Sequence, residues 1–161
     1  MNIKKLISVF LVFAVVVLNF ASCSAKTLNN KSPEEITSYL QKELKAEDLT
    51  EVSEGQFSGF FGFDAKDIGK ASFLISSVGN TSDMIGAFKY KDEEAKNKVL
   101  KSLADYLNSS SDNLKAVSDE EYKKLNNRVI CECNGTIILV VCENYKKAQN
   151  LLKDLGATEV K

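Results

Sequence analysis

The chain has 161 residues with a formal net charge of −1, from 21 basic and 22 acidic side chains, and it contains no histidine. A near-neutral charge disfavours nucleic-acid binding, which needs a cationic surface. Without histidine, Ser-His-Asp catalysis, Cys-His catalysis and imidazole metal sites are excluded. The sequence also lacks a glycine-rich phosphate loop. We therefore predict no catalytic residue, no cofactor, no metal and no enzymatic activity.

The first 22 residues have the pattern of a signal peptide. Lys4 and Lys5 form a short positive segment, and the run Leu6–Leu18 is apolar apart from one serine. That run is too short for a typical spanning helix, which needs about 20 apolar residues. The sequence then reaches Phe20-Ala21-Ser22-Cys23, which resembles the lipobox of bacterial lipoproteins, with Phe20 where leucine is usual.

Cys23 is the predicted lipid attachment site. After cleavage its thiol would carry a diacylglyceryl group as a thioether, and its freed amine would be acylated. Two or more acyl chains give a stable anchor. Secretory cleavage after Ala25 and an uncleaved membrane anchor remain open as alternatives. We predict a signal peptide at 1–22, an anchor and tether at 23–32, and one domain at 33–161 on the extracytoplasmic face of the cell membrane.

The predicted domain starts with a helix. In Ser32-Pro33-Glu34-Glu35, serine is the N-cap, proline takes the first helical position and Glu35 completes a capping box. Apolar residues then recur at helical spacing as far as Leu44. The segment Glu54–Asp64, "EGQFSGFFGFD", is rich in phenylalanine and glycine. It predicts a short helix or a turn.

Two β-rich runs follow, Lys70–Val78 and Met84–Tyr90, joined by a predicted turn at residues 79–83. The segment Asp92–Leu107 predicts a helix with Asp92 as its N-cap. Residues 108–113, "NSSSDN", predict a loop. Ser118-Asp119-Glu120-Glu121 then predicts a second capping box, which opens a short helix that ends at Leu125.

The pair Asn134-Gly135 between two β-rich runs predicts a hairpin with a two-residue turn, because both positions need a positive φ. The turn fixes the facing pairs Cys133 with Thr136, Cys131 with Ile138, and Val129 with Val140. The run Ile137–Val141 is apolar on both faces, which predicts an interior strand. Asn144–Leu155 predicts a final helix with Gly156 as its C-cap.

This order of elements predicts an α+β domain, with an antiparallel sheet of about four strands covered by helices. Over Pro33–Gly156 the layout resembles a bacterial lipoprotein family known as domain of unknown function 4358. The resemblance is carried by "FFGFDAKDI", "TSDMIGAFKYKDEE", the long loop, and the final hairpin and helix. It implies a surface lipoprotein of a Gram-positive bacterium and no known activity. The family has an acidic residue where this chain has Met84.

Three cysteines form the first candidate site. The predicted register places Cys131, Cys133 and Cys142 on one face. Cys142 faces Asn127, four residues from Cys131, or about 13 Å at strand rise. That separation is too long for a disulfide, and no histidine completes a zinc site. We favour buried free cysteines that pack as small apolar residues, with redox and metal roles as alternatives.

Aromatic and acidic clusters are the other candidates. Phe57, Phe60, Phe61 and Phe63 are predicted to pack in the core, with an exposed platform for sugars or peptides as the alternative. The acidic segments Asp92–Glu94 and Asp119–Glu121 lie at predicted helix starts. Negative charge complements the helix dipole there. The alternative is acid–base catalysis by paired carboxylates.

Two functions are consistent with these features. We favour a non-catalytic interaction module of the cell envelope that binds a protein, a peptide or a glycan. The alternative is an envelope enzyme that acts on glycan or peptide with carboxylates alone. A glycosidase would need two carboxylates that face each other across a cleft. An exposed apolar patch would favour the interaction module.

Overall fold

The computed structural model describes residues 27–63, 67–79 and 81–160, without the side chains of Glu54 and Ser58. The predicted signal peptide and Cys23 lie outside these residues. The described helices are α1 (Pro33–Leu44), α2 (Glu54–Phe61), α3 (Glu93–Leu114), α4 (Asp119–Asn126) and α5 (Tyr145–Asp154). The described strands are β1 (Leu49–Glu51), β2 (Ile68–Ser76), β3 (Met84–Tyr90), β4 (Val129–Cys133), β5 (Thr136–Val141) and β6 (Thr158–Glu159).

The described strands form one sheet in the order β1-β2-β3-β5-β4-β6, and every neighbouring pair is antiparallel. The predicted α+β class is therefore confirmed, but the sheet has six strands and not four. The two strands that the sequence missed, β1 and β6, lie at the two edges. The predicted hairpin register is confirmed at all three facing pairs, and β5 is an interior strand between β3 and β4.

Helices cover both faces of the sheet. Alternate strand residues point to opposite faces, which divides the core into two clusters. On the first face, α1 and α5 pack over strand residues such as Leu74, Ile85 and Ile138. On the second face, α2, α3 and α4 pack over residues such as Phe73 and Phe88. The domain thus has three layers, with the sheet in the middle.

The two predicted capping boxes differ in the structure. At α1 the box is complete, because Glu35 Oε2 accepts from the backbone N–H of Ser32 at 2.7 Å and Ser32 Oγ accepts from Glu35. At α4 only half of it forms. Ser118 Oγ accepts from the backbone N–H of Glu121 at 3.3 Å, but the Glu121 carboxylate binds Ser82 instead.

Helix α3 continues through the segment that was predicted as a loop. It runs to Leu114, seven residues beyond the predicted end at Leu107. Serine and asparagine are weak helix formers, so local propensity does not explain this extension. Tertiary contacts do: Ser111 is 4% exposed and donates to Asn126 of α4, and Arg128 donates to Asn108 at 2.8 Å.

The segment before α1 is partly folded against the domain. Leu28 is 2% exposed and belongs to the first-face core. Its backbone N–H donates to the carbonyl of Leu155 at 3.4 Å. Residue 28 was predicted to lie in a tether that reached residue 32, so the folded unit begins earlier than expected. Among the described helices, none has the length and apolarity needed to cross a membrane.

Candidate functional site

A cleft of about 340 Å³ lies at one end of the sheet, where β2 connects to β3 and α2 and α3 approach each other. Its apolar side chains come from two strands and three helices: Phe60, Ile75, Met84, Tyr106, Leu114 and Leu125. Its polar lining consists of hydroxyl and amide groups with one carboxylate: Ser76, Thr81, Ser82, Ser110, Asn113 and Asp83. We name this site the aromatic cleft.

The phenylalanine stretch is divided between the core and this cleft. Phe57, Phe61 and Phe63 are 5%, 5% and 6% exposed and pack in the second-face core, as predicted. For Phe60 the predicted core position is wrong, because this residue is 37% exposed and lines the cleft. The split follows from helix geometry. Residues 57 and 61 are one turn apart on the buried face, whereas residue 60 is rotated by about 100° from residue 61.

Neighbouring rings fix the orientation of Phe60. Its ring centroid is 6.0 Å from that of Phe73, at an interplanar angle of 65°. It is 6.3 Å from that of Tyr106, at 81°. Edge-to-face pairs of this kind each contribute about 0.5–1.5 kcal/mol beyond area burial. Phe60 therefore forms a preorganised wall of the cleft.

An ionic cluster attaches another wall of the cleft, residues 81–83, to α4. Ser82 donates its backbone N–H and its hydroxyl to Glu121 Oε2, both at 2.6 Å. Lys124 Nζ lies 2.9 Å from Glu121 Oε1 and 2.9 Å from Asp83 Oδ2. We use the name ionic cluster for Asp83, Glu121 and Lys124. Its geometry holds residues 82 and 83, just before β3, against α4.

Burial and hydrogen bonding shift the pKa values of Lys124 and Glu121 in opposite directions. These are the two most buried residues of the ionic cluster, with side chains that are 10% and 9% exposed. Burial raises the pKa of Glu121, but hydrogen bonds from Ser82 and Lys124 outweigh this and leave the pKa below its ordinary value. Burial lowers the pKa of Lys124, but hydrogen bonds to Glu121 and Asp83 outweigh this and leave it raised. Both groups are therefore charged at neutral pH.

The sequence did not predict the ionic cluster. The pattern around Glu121 predicted a capping box and an acidic helix start, and residues 79–83 predicted a turn. The spacing of Glu121 and Lys124 is typical of an i,i+3 pair on a helix surface. No local signal indicates the contact with Ser82, which is 39 residues away in sequence.

The described carboxylates of the two acidic segments act in caps and ion pairs, and Glu121 shares Lys124 with Asp83. Asp92 is the N-cap of α3, as predicted, and accepts from a backbone N–H at 2.8 Å. Glu94 pairs with Lys98 along the exposed surface of the same helix. Asp119 pairs with Lys123 on α4 in the same way. The predicted positions at helix starts are confirmed.

The three cysteines near the hairpin are free. Cys131 and Cys133 are 3% and 8% exposed within the first-face core, which confirms the predicted packing role, whereas Cys142 is half-buried. Burial raises the pKa of all three thiols, that of Cys131 to about 11. Thiols with raised pKa values are poor nucleophiles and ligands. In the described part of the chain, no group of three Cys, Asp or Glu side chains is arranged to hold a metal ion.

Fold and site together define a class of small three-layer domain, in which an antiparallel sheet carries an aromatic cleft at one end. The profile of the family described as domain of unknown function (DUF4358) matches residues 42–142. That match covers more than half of the chain, so the chain belongs to this family, as the sequence resemblance predicted. Comparison with curated proteins and with solved structures found no match.

Proposed function

We propose that this chain is a lipid-anchored, non-catalytic binding module on the extracytoplasmic face of the cell membrane. In this proposal the aromatic cleft holds an uncharged, partly apolar segment of a cell-envelope partner. The observation that carries the binding role is the exposed ring of Phe60 in a cleft whose lining carboxylate, Asp83, is paired with Lys124.

The start of the folded unit supports a short connection to the membrane. The proposed anchor is Cys23, behind the signal-peptide pattern at 1–22. Leu28 is already part of the core. The five residues from Ser24 to Leu28 span at most about 17 Å when fully extended. The domain would therefore rest close to the bilayer, with the surface around Leu28 facing it.

The chemistry of the cleft supports a neutral ligand. Ligand sites are concave, mostly apolar and supplied with a few polar groups, and typical volumes start near 300 Å³. Aromatic residues also contribute much of the binding energy at protein interfaces. Here Phe60 and Tyr106 provide the rings, while Ser110 and Asn113 provide hydrogen-bonding groups without charge. A charged ligand would find no unpaired partner among the described side chains that line the cleft.

The alternative is an envelope enzyme that acts on glycan or peptide with carboxylates alone. A glycosidase needs one carboxylic acid and one carboxylate on opposite sides of the scissile bond. The described lining of the cleft contains one carboxylate, Asp83, which pairs with Lys124. The nearby Glu121 has one oxygen bound by Ser82 and the other by Lys124. This arrangement favours binding over acid–base catalysis.

The binding role is tested by crosslinking the full-length protein to its partners in its own membranes. We expect a captured partner whose yield falls at least tenfold in the Phe60→Ser variant. The matched control is Val117→Ser, because Val117 is 79% exposed and does not line the cleft. Equal capture by wild type and both variants would contradict the proposal.

A second variant distinguishes a loss of binding from a loss of folding. Phe60 contacts core rings, so its replacement costs some stability. Asn113→Arg instead places a charge at the cleft rim, where Asn113 is exposed. We expect it to reduce capture without changing the unfolding midpoint. Release of product from purified envelope glycan or peptide by the wild-type protein would instead establish the enzyme alternative.

The anchor is tested separately by mass spectrometry of the protein from its own membranes. We expect an N-terminal Cys23 that carries a diacylglyceryl thioether and an acylated amine. Cys23→Ala should accumulate as the unprocessed precursor. An unmodified N-terminus at Lys26 would show ordinary secretory cleavage and would disprove the lipid anchor.

A further inference from the structure

We infer that a second cavity, at the opposite end of β3 from the aromatic cleft, is a binding site for a phosphate group. The cavity has a volume of about 400 Å³ and lies between the start of α1 and the ends of the central strands. Three lysines line it: Lys31, Lys70 and Lys89. We name it the lysine cavity.

Strand register builds the floor of the lysine cavity. Lys70 of β2 is directly opposite Lys89 of β3, and Lys89 is opposite Thr136 of β5. Thr136 is in turn opposite Cys133 of β4. These four residues therefore form one row across four strands, on the sheet face that α1 covers. Lys31 completes the site from the segment before α1.

The lysine pair is electrostatically unfavourable in the absence of a ligand. Like charges directly opposite each other on antiparallel strands are destabilising. Within the described residues, no carboxylate lies within 4.0 Å of the Nζ atoms of Lys31, Lys70 or Lys89. An anion placed between these lysines would relieve the repulsion, and ammonium groups are effective point-charge ligands for phosphate.

Two glutamates near the cavity reduce its positive charge but do not cancel it. Glu35 lines it, but Glu35 Oε2 accepts from the backbone N–H of Ser32 at 2.7 Å in the capping box. Glu34 is exposed. Its pKa is lowered first by a hydrogen bond from Ser32 and only in smaller part by the charge of Lys70. The described lining thus carries three cations and one carboxylate, which leaves it with a net positive charge.

The size and position of the cavity suggest which phosphate it takes. At about 400 Å³ it has room for a phosphate with an attached glycerol or similar small group. Its wall includes Leu28 and Lys31, within a few residues of the proposed anchor. If the anchor is correct, the cavity opens close to lipid headgroups; this part of the inference rests on the proposed function. The phosphate site itself does not depend on the anchor.

The test uses the full-length protein in phosphatidylcholine nanodiscs and titrates glycerol phosphate by calorimetry. We expect saturable binding that weakens at least tenfold in Lys89→Glu. That variant should still fold, because the introduced carboxylate would pair with Lys70 across the strands. The matched control is Lys101→Glu on the surface of α3, which makes the same change in charge outside the lining of the cavity. Wild-type affinity in Lys89→Glu, or no binding by wild type, would overturn the inference.

A second arm distinguishes the source of the phosphate. The same titration is repeated in nanodiscs that contain phosphatidylglycerol. Loss of glycerol phosphate binding there, with a raised unfolding midpoint that Lys89→Glu abolishes, would assign the cavity to a lipid headgroup. Unchanged binding would assign it to a soluble or polymer-linked phosphate. Mass analysis of Cys23 in the same samples reports on the anchor independently.

Discussion

The two ends of β3 place lysines in opposite electrostatic settings. Next to the start of β3, Lys124 lies 2.9 Å from the carboxylates of both Asp83 and Glu121. The Lys124 side chain is 10% exposed. At the other end, Lys89 is exposed and directly opposite Lys70. In the described part of the chain neither of these two lysines has a carboxylate within 4.0 Å.

This difference separates a stabilising role from a binding role. A buried lysine with two carboxylates connects elements that are distant in sequence, so removing it leaves negative charge poorly solvated. Exposed lysines that repel each other lower stability slightly, but they remain available to an external anion. Residue type alone does not distinguish these roles. The presence or absence of a partner in the folded chain does.

The largest expected effect is at the paired end. Lys124→Met should lower the free energy of unfolding by about 2–4 kcal/mol, because Glu121 and Asp83 would lose their cation in a largely buried position. Urea unfolding at neutral pH measures this. The control is Lys123→Met, the adjacent exposed lysine on α4, which should change stability little. Equal losses in the two variants would mean that the ionic cluster has no special role.

A smaller effect should appear in how the stability contributed by the ionic cluster depends on pH. The pKa of Glu121 is lower in the folded chain than its ordinary value of 4.5. The contribution of the Glu121 carboxylate to the free energy of unfolding is therefore present above about pH 5. It is lost as the pH falls through the pKa of the folded state. Glu121→Gln should cost about 1–2 kcal/mol at pH 7, and the difference from wild type should shrink as the pH falls below the ordinary pKa of 4.5. A difference that stays constant from pH 7 to pH 3 would contradict this assignment.

At the other end of β3, where Lys89 is opposite Lys70, removing a lysine should raise stability and not lower it. Lys89→Gln removes the cross-strand repulsion with Lys70 and should raise the free energy of unfolding by about 0.2–1 kcal/mol in phosphate-free, low-salt buffer. Added salt should shrink the gain, because exposed charges are screened. A loss of stability comparable to that of Lys124→Met would remove the distinction between the two ends.

The smallest expected effect is on thiol reactivity. Cys133 lines the lysine cavity, whereas Cys142 lies by Asp83 and Lys124. Burial raises the pKa of both thiols, so both should react slowly with iodoacetamide at pH 8. Glycerol phosphate should slow Cys133 severalfold further and leave Cys142 unchanged, as measured by peptide mass spectrometry. Equal slowing of the two would indicate a general effect and not occupancy of the cavity.

Several parts of the fold could be predicted because local chemistry decides them. The Asn134-Gly135 turn requires positive φ, and the residues have φ values of 49° and 75°. That turn fixed every facing pair of the hairpin. The capping box of Ser32 and Glu35 likewise forms as predicted. In each case the interacting groups are within a few residues of one another, so the sequence contains the whole interaction.

Other features could not be predicted from the sequence, because the residues they interact with are remote in the chain. Strands β1 and β6 have three and two residues, too short to show a periodicity, and they exist only because β2 and β4 offer edges to pair with. The end of α3 is rich in weak helix formers. It is helical because it forms hydrogen bonds with Asn126 of α4 and with Arg128. For the same reason, Leu28 was missed as part of the core.

The candidate sites divide in the same way. The sequence by itself determined the membership of the family, the signal-peptide pattern before Cys23, the hairpin and the lack of histidine chemistry, because each depends on adjacent residues or on composition. Tertiary structure alone decided that Phe60 faces a cleft while Phe61 is buried, that Glu121 meets Ser82, and that Lys70 lies opposite Lys89. Those contacts depend on helix rotation and strand register, which are fixed only when the layers pack together.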